Sequence, residues 1–136
     1  MNLRIQNLLS QGESRKIEFK TARQGLNHNL YETVCGFLNR DGGDILLGVT
    51  DTGDVAGVDS GHVQQMKIDF VTTVNNPQKL SPSCYLSIEE IKHNGAILLH
   101  ITVPPSSQVH RCNGRIFDRN EDGDLDITDN QTLVTQ

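Results

Sequence analysis

The sequence predicts an α+β fold: two main helices packed on a mixed, mostly antiparallel sheet of about six strands, with a short helix at the N-terminus. Three observations carry this. Apolar residues recur with helical spacing in two places, Leu30-Val34-Phe37-Leu38 and Val63-Met66-Phe70-Val74. Between them runs Ile45-Leu46-Leu47-Gly48-Val49, apolar on both parities, as a strand buried on both faces must be. After the second helix, two strand-like segments flank Asn94-Gly95, a pair suited to a tight hairpin.

Taken in order, residues 3–9 read as a short helix with Leu3, Leu8 and Leu9 as candidates for burial, stopped by Gln11-Gly12. Ile17-Glu18-Phe19-Lys20 alternates apolar and charged, the mark of a half-buried strand. Asn29 is placed as an N-cap, with Glu32 three residues on completing a capping box. The helix that follows must end near Asn39-Arg40-Asp41-Gly42-Gly43. Asp51-Thr52-Gly53-Asp54 has turn chemistry, and Val55–Val58 is expected to return as the hairpin partner of the central strand. Asp59 or Ser60 caps the second helix, whose buried stripe would also include Val71, and Asn75-Asn76-Pro77 ends it. Strands are expected over 84–91 and 96–103, then a strand or hairpin over 109–118 bending at Asn113-Gly114.

With 136 residues and no repeat, low-complexity tract or linker, the whole of 1–136 is expected to form one domain. Three cysteines (Cys35, Cys84, Cys112) make an odd count without a Cys-x-x-Cys pair, which suits reduced thiols. There is no signal-peptide pattern and no apolar run of membrane-spanning length, so a cytoplasmic protein that makes no membrane contact is expected. The net charge of −5 is unevenly spread. Six of the acidic residues and one base lie from Asp118 onward, leaving eleven of each sign before it. The first forty residues hold six bases against three acids, consistent with a basic N-terminal face. A pI near 5.4 argues against strong, nonspecific duplex binding by this chain alone.

Two segments could carry chemistry. The paired Gly42-Gly43, between a helix and a buried strand, permit close approach of another backbone or a phosphate. Read alone they are a helix C-cap and turn, and the segment is neither a Walker A loop nor a GxGxxG fingerprint. Glu13 and Glu18 have bases between them, a composition that could hold a divalent cation and a phosphate together. Their spacing of five converges only if a loop at Glu13 bends into a strand at Glu18; read alone the stretch is an amphipathic strand with ion pairs.

Asp118, Asn120, Asp122, Gly123 and Asp129 match calcium-loop spacing. The Arg115-Ile116-Phe117 stretch before them reads as strand, however, and a metal there is not expected. The five histidines are scattered without zinc-site spacing.

Together, Glu-Ser-x-x-x-Glu-Phe-Lys (13–20), Phe-Leu-Asn-Arg-Asp-Gly-Gly (37–43) and Ile-Leu-Leu-Gly-Val-Thr-Asp-x-Gly-x-Val-x-Gly (45–57) resemble the Schlafen AlbA-like domain family, also called divergent AAA or AlbA-type. Gly114-Arg115-Ile116-Phe117-Asp118-Arg119 and Gly123 are similar to the family's closing aromatic-Arg turn. The resemblance covers nearly the whole chain, with Asn39, Gly42, Gly43 and Gly48 as its structural motif.

It implies a nucleic-acid-binding module of a prokaryotic transcriptional regulator, acting on DNA or structured RNA and needing no cofactor. Arg15, Lys16, Lys20, Arg23 and Arg119 are the expected contacts to nucleic acid. The alternative it implies is a metal-dependent endoribonuclease using Mg or Mn, with Glu13 and Glu18 matching two of the family's three acidic residues and Asp51 the third. Thr50 stands where some members carry an acid. Binding without catalysis is the leading expectation. A homodimer could supply the second copy that the animal enzymes carry in one chain. A further C-terminal domain is expected, since 128–136 reads as the start of a helix.

Overall fold

The computed structural model describes residues 2–129; the expected helix start at 128–136 lies almost wholly outside them. Helix α1 (Leu3–Gln11) begins at Asn2, whose side chain accepts from the Ile5 N–H. Strand β1 (Ile17–Lys20) follows, then α2 (Leu30–Leu38), β2 (Gly43–Leu47) and α3 (Val63–Val74), which one 3-10 turn (Ser60–His62) introduces. The later strands are β3 (Leu80–Ser81), β4 (Ile88–His93), β5 (Ala96–Val103), β6 (Arg111–Cys112), β7 (Phe117–Asn120) and β8 (Gly123–Asp126).

The main sheet has the order β1-β2-β5-β4, parallel between β1 and β2 and antiparallel elsewhere. The remaining strands form two ribbons, β3-β6 and β7-β8, so the expected α+β class holds while the strands divide among three sheets. Apolar side chains cover both faces. Ile5 and Leu8 of α1 pack on Ile17, Phe19, Leu46 and Leu98. On the other face α2 and α3 pack on Ile45, Leu47, Leu99 and Ile101. Such two-sided burial is why residues 45–47 are apolar without alternation. Phe37 and Phe70 are fully enclosed, each stabilising the fold by about 1.5–3 kcal/mol.

Asn94 and Gly95, at φ 50° and 85°, form the two-residue turn expected between β4 and β5. Asn113 and Gly114 bend the chain in the same way, closing a bridge between Cys112 and Arg115.

Four local expectations change. Val55–Val58 makes one bridge, Val49 to Val55, instead of a strand, because β1 and β5 already occupy both edges of β2. The Gly48 carbonyl instead receives the N–H groups of Ala56 and Gly57. Leu3 is exposed, and Ile5 takes the buried position on α1. Val71 also faces outward, since the buried stripe of α3 is Val63, Met66, Phe70 and Val74. Asn29 begins α2 without a side-chain cap, because its Oδ1 accepts from Lys20 Nζ at 3.2 Å.

Candidate functional site

The outer edge of β1 is where the charged residues meet. A parallel pairing with β2 turns the backbone groups of Ile17 and Phe19 outward, and both Ile17 groups and the Phe19 N–H find partners. Ser14 exchanges backbone bonds with Ile17, and Glu13 Oε2 accepts from the Phe19 N–H at 3.0 Å. Arg119, from β7, completes the seal: its Nη2 donates to the carbonyls of Ser14 (2.8 Å) and Ile17 (3.2 Å).

The Arg119 side chain is 0% exposed. Its Nη1 donates to Glu18 Oε1 at 2.8 Å and to Asp124 Oδ1 at 3.1 Å, and its guanidinium lies 4.8 Å from the Phe37 ring centroid. Asp124 is held in turn by the Thr33 hydroxyl at 2.6 Å. Burial and the adjoining Glu13 carboxyl push Glu18 up to about 8, against the opposing pull of Arg119 and Lys20. Burial thus favours the protonated form of Glu18, and Asp124 lies beside Arg119 as a second carboxyl partner.

Glu13 and Glu18 thus converge, by the loop-into-strand bend their spacing required. Asp51 does not join them: it is exposed in the turn between Thr50 and Asp54. Among the described residues no three Asp, Glu, His or Cys side chains are grouped to hold a metal ion. Where the two glutamates do meet, a guanidinium and a backbone N–H already occupy their oxygens. The set does not fit a divalent cation as it stands.

The calcium-loop spacing folds as the β7-β8 hairpin, turning at Glu121-Asp122. Four of its acids are ion-paired: Asp118 with Arg40, Asp124 with Arg119, and Asp126 and Asp129 with Arg115. The acidic end of the chain is a clasp on three arginines.

The expected nucleic-acid contacts divide. Arg119 and Lys20 are buried and committed to internal bonds, so neither presents its charge to a phosphate. Arg23 is exposed, at the opposite end of β1 from Arg15 and Lys16, lining a groove with Gly57, Asp59 and Asn94. Arg15 and Lys16 are exposed where the chain enters β1. They line a groove of about 630 Å³ with Arg4, Ser14 and Asn120. Arg15 and Asn120 also border a second groove of about 310 Å³, which reaches Arg40.

Arg4 and Arg40 are therefore binding candidates that sequence reasoning did not single out. Their signal was their place in the base-rich first forty residues. Three of the four bases around these grooves are ion-paired: Arg4 with largely buried Asp44 (2.8 Å), Arg15 with exposed Asp41 (3.1 Å) and Arg40 with buried Asp118. Asp44 also accepts from buried His100 Nε2 at 2.8 Å. Burial would raise its carboxyl, but His100 and Arg4 outweigh that and lower it.

The glycine motif is structural. Gly42, at φ 74°, donates to the Phe37 carbonyl at 2.8 Å, and a Cβ there would lie 2.5 Å from the Val103 carbonyl oxygen. A Cβ on Gly43 would lie 2.7 Å from the Lys16 carbonyl oxygen. Backbone approaches these glycines where a phosphate was the other option. Gly48, at φ 96°, turns the chain out of β2 against Leu98 and Gly57. Asn39 exchanges bonds with the His110 backbone, donating to its carbonyl at 2.9 Å and accepting from its N–H at 2.7 Å.

Comparison with known proteins agrees with this architecture. The family model described as Schlafen, AlbA_2 matches residues 13–128. Two solved structures share the fold. One is the DIP2311 protein of Corynebacterium diphtheriae, with a TM-score of 0.64 and 15% identity over 91% of this chain. This chain spans only 29% of that protein's length. The other is the N-terminal domain of a protein from Nitrosomonas europaea named for its relation to the ATP-dependent DNA helicase RecG. Its TM-score is 0.55, with 22% identity over 74% of this chain and 72% of that one. No helix among the described residues is long and apolar enough to cross a membrane.

Proposed function

The chain belongs to the Schlafen, AlbA_2 family, and from that premise we propose that it is a nucleic-acid-binding module that contacts phosphates through Arg4, Arg15, Lys16 and Arg40. One observation carries the reading: these four bases border two adjoining grooves beside the sealed edge of β1. The Arg15–Asp41 pair is exposed and contributes little stability, so a phosphate can replace Asp41 on Arg15 at small cost, while Arg40, itself half-exposed, meets a phosphate without giving up buried Asp118. Lys16, exposed and in no ion pair among the described residues, is free to make the first contact. The module serves a prokaryotic transcriptional regulator in the cytoplasm, with the regulatory output in a further domain. The similar RecG-related domain, itself N-terminal, supports that arrangement.

A second reading, a metal-dependent endoribonuclease acting on structured RNA, draws on the contact between the Glu13 and Glu18 carboxyls. It needs a third acidic ligand brought to that pair. One experiment separates the two: incubation with labelled duplex DNA and structured RNA, with Mn²⁺ or EDTA, resolving retardation and cleavage on the same gel. Retardation without cleavage, lost on Lys16→Glu, supports binding. Metal-dependent cleavage lost on Glu18→Ala would make the second reading the correct one.

A further inference from the structure

The two edges of the main sheet are treated differently. At β1 the outward N–H and C=O of Ile17 and the N–H of Phe19 are taken by Ser14, Glu13 and Arg119. At β4, the other edge, no backbone bond arrives from any other described segment. The two-residue turn at Asn94-Gly95 sets which groups of β4 are free. His93 and Ala96 flank that turn and bond each other, so His93, Ile91 and Glu89 point their backbone groups at β5. Ile88, Glu90 and Lys92 therefore point theirs outward.

We propose that β4 is a homodimer interface, pairing antiparallel with β4 of a second copy about a two-fold axis through Ile91. A two-fold perpendicular to a sheet keeps each residue on its own face, so only registers that place like parity opposite like parity are open. Centring on Ile91 sets Glu90 opposite Lys92 of the second copy, and Lys92 opposite its Glu90. Those are the residues whose N–H and C=O face outward, so they form the bonded pairs this register needs. On the other face Ile91 meets Ile91, and Glu89 meets His93. Centring one residue earlier would set Glu90 against Glu90, which repels.

Both Glu90 and Lys92 are exposed in the single chain, so pairing costs no buried contact. The product would be an eight-stranded sheet whose two outer edges are both sealed β1 strands, a closed pair that cannot grow. Arg15 and Lys16, at the far side of each sheet, stay clear of the junction.

Sedimentation of the native chain and two charge variants, at concentrations up to about 1 mM to capture weak association, tests this. Native protein should reach a dimer. Glu90→Lys alone places lysine opposite lysine and Lys92→Glu alone places glutamate opposite glutamate. Each should weaken dimerisation about tenfold or more. Mixed in equal amounts, the two variants restore both opposite-charge pairs and should dimerise with each other. A native chain that stays monomeric throughout would overturn the proposal, as would single variants that dimerise like the native chain. So would a mixture that stays monomeric while thermal melts show both variants folded. None of these outcomes depends on nucleic acid, so the binding reading stands or falls separately.

Discussion

Arg119 and Glu18, 101 residues apart in the chain, meet at 2.8 Å in a site that solvent does not reach from the arginine side. Around that contact the β7-β8 hairpin is fastened to the edge of the main sheet. Residues that read as phosphate-binding (Arg119) and metal-binding (Glu13 and Glu18) instead hold the architecture that presents Arg15 and Lys16.

Removing Arg119 should be severe. Arg119→Ala leaves half-buried Asp124 and Glu18 without their guanidinium partner and removes one of the two donors at each of two carbonyls, so a loss of about 3–5 kcal/mol is expected in urea unfolding. Arg119→Lys keeps the charge but not the fork that reaches four acceptors, and should recover only part of that loss. A variant within 1 kcal/mol (about the cost of an ordinary hydrogen bond) would show that the clasp does not hold the hairpin.

Stability should fall as pH rises. The folded-state value of Glu18 lies at about 8, above the ordinary value of 4.5, so the folded protein binds the extra proton between them. The stabilising contribution is then complete below 4.5 and is lost as pH rises through 8. The slope is at most about 1.4 kcal/mol per pH unit, less to the extent that water reaches the carboxyl. Melting temperatures measured from pH 5 to 9 should trace this fall, and Glu18→Gln should flatten it. An unchanged slope in Glu18→Gln would assign the effect elsewhere.

The glycines of the turn before β2 should be intolerant of a methyl group for two separable reasons. Gly42→Ala suffers both a left-handed backbone and the Val103 carbonyl, and Gly43→Ala suffers the Lys16 carbonyl alone. Losses of about 2–4 and 1–3 kcal/mol are expected in chemical denaturation. Gly25→Ala, with open space and no positive φ, is the neutral control.

The thiols should label in a fixed order. Burial pushes Cys35 up to about 12 and Cys112 up to about 11, and Cys35 Sγ also lies 3.2 Å from the His110 carbonyl. Cys84 is only half-buried, though burial raises it too. Mass spectrometry after iodoacetamide treatment at pH 8 should find Cys84 modified first, and the other two only on unfolding. Early loss of Cys35 would contradict its placement beneath the His110 backbone.

What could be read from the sequence follows from locality. The stripe Leu30-Val34-Phe37-Leu38, the two-sided run 45–47 and the Asn94-Gly95 turn each depend on neighbouring residues, and each formed. The meeting of Glu13 and Glu18 was legible too, because five residues and one bend separate them. Arg119 was not: it sits in a charged stretch that looks solvated, and its partners lie about a hundred residues upstream. A separation of 78 residues likewise hid the pairing of Asp118 with Arg40, which turns an apparent acidic tail or calcium loop into a clasp. Val55–Val58 failed for a related reason, since only tertiary context shows that both edges of β2 are filled.

The most direct test of the central claim is the salt dependence of binding to labelled duplex DNA and structured RNA, followed by fluorescence anisotropy in native protein, Arg15→Ala, Lys16→Ala and Arg23→Ala. Affinity should fall steeply with salt for native protein, and Arg15→Ala and Lys16→Ala should each weaken binding and lower the slope by about one. Arg23→Ala, at the other end of β1, should leave both unchanged. Binding that ignores salt, or that depends on Arg23 and not on Arg15 and Lys16, would contradict the account.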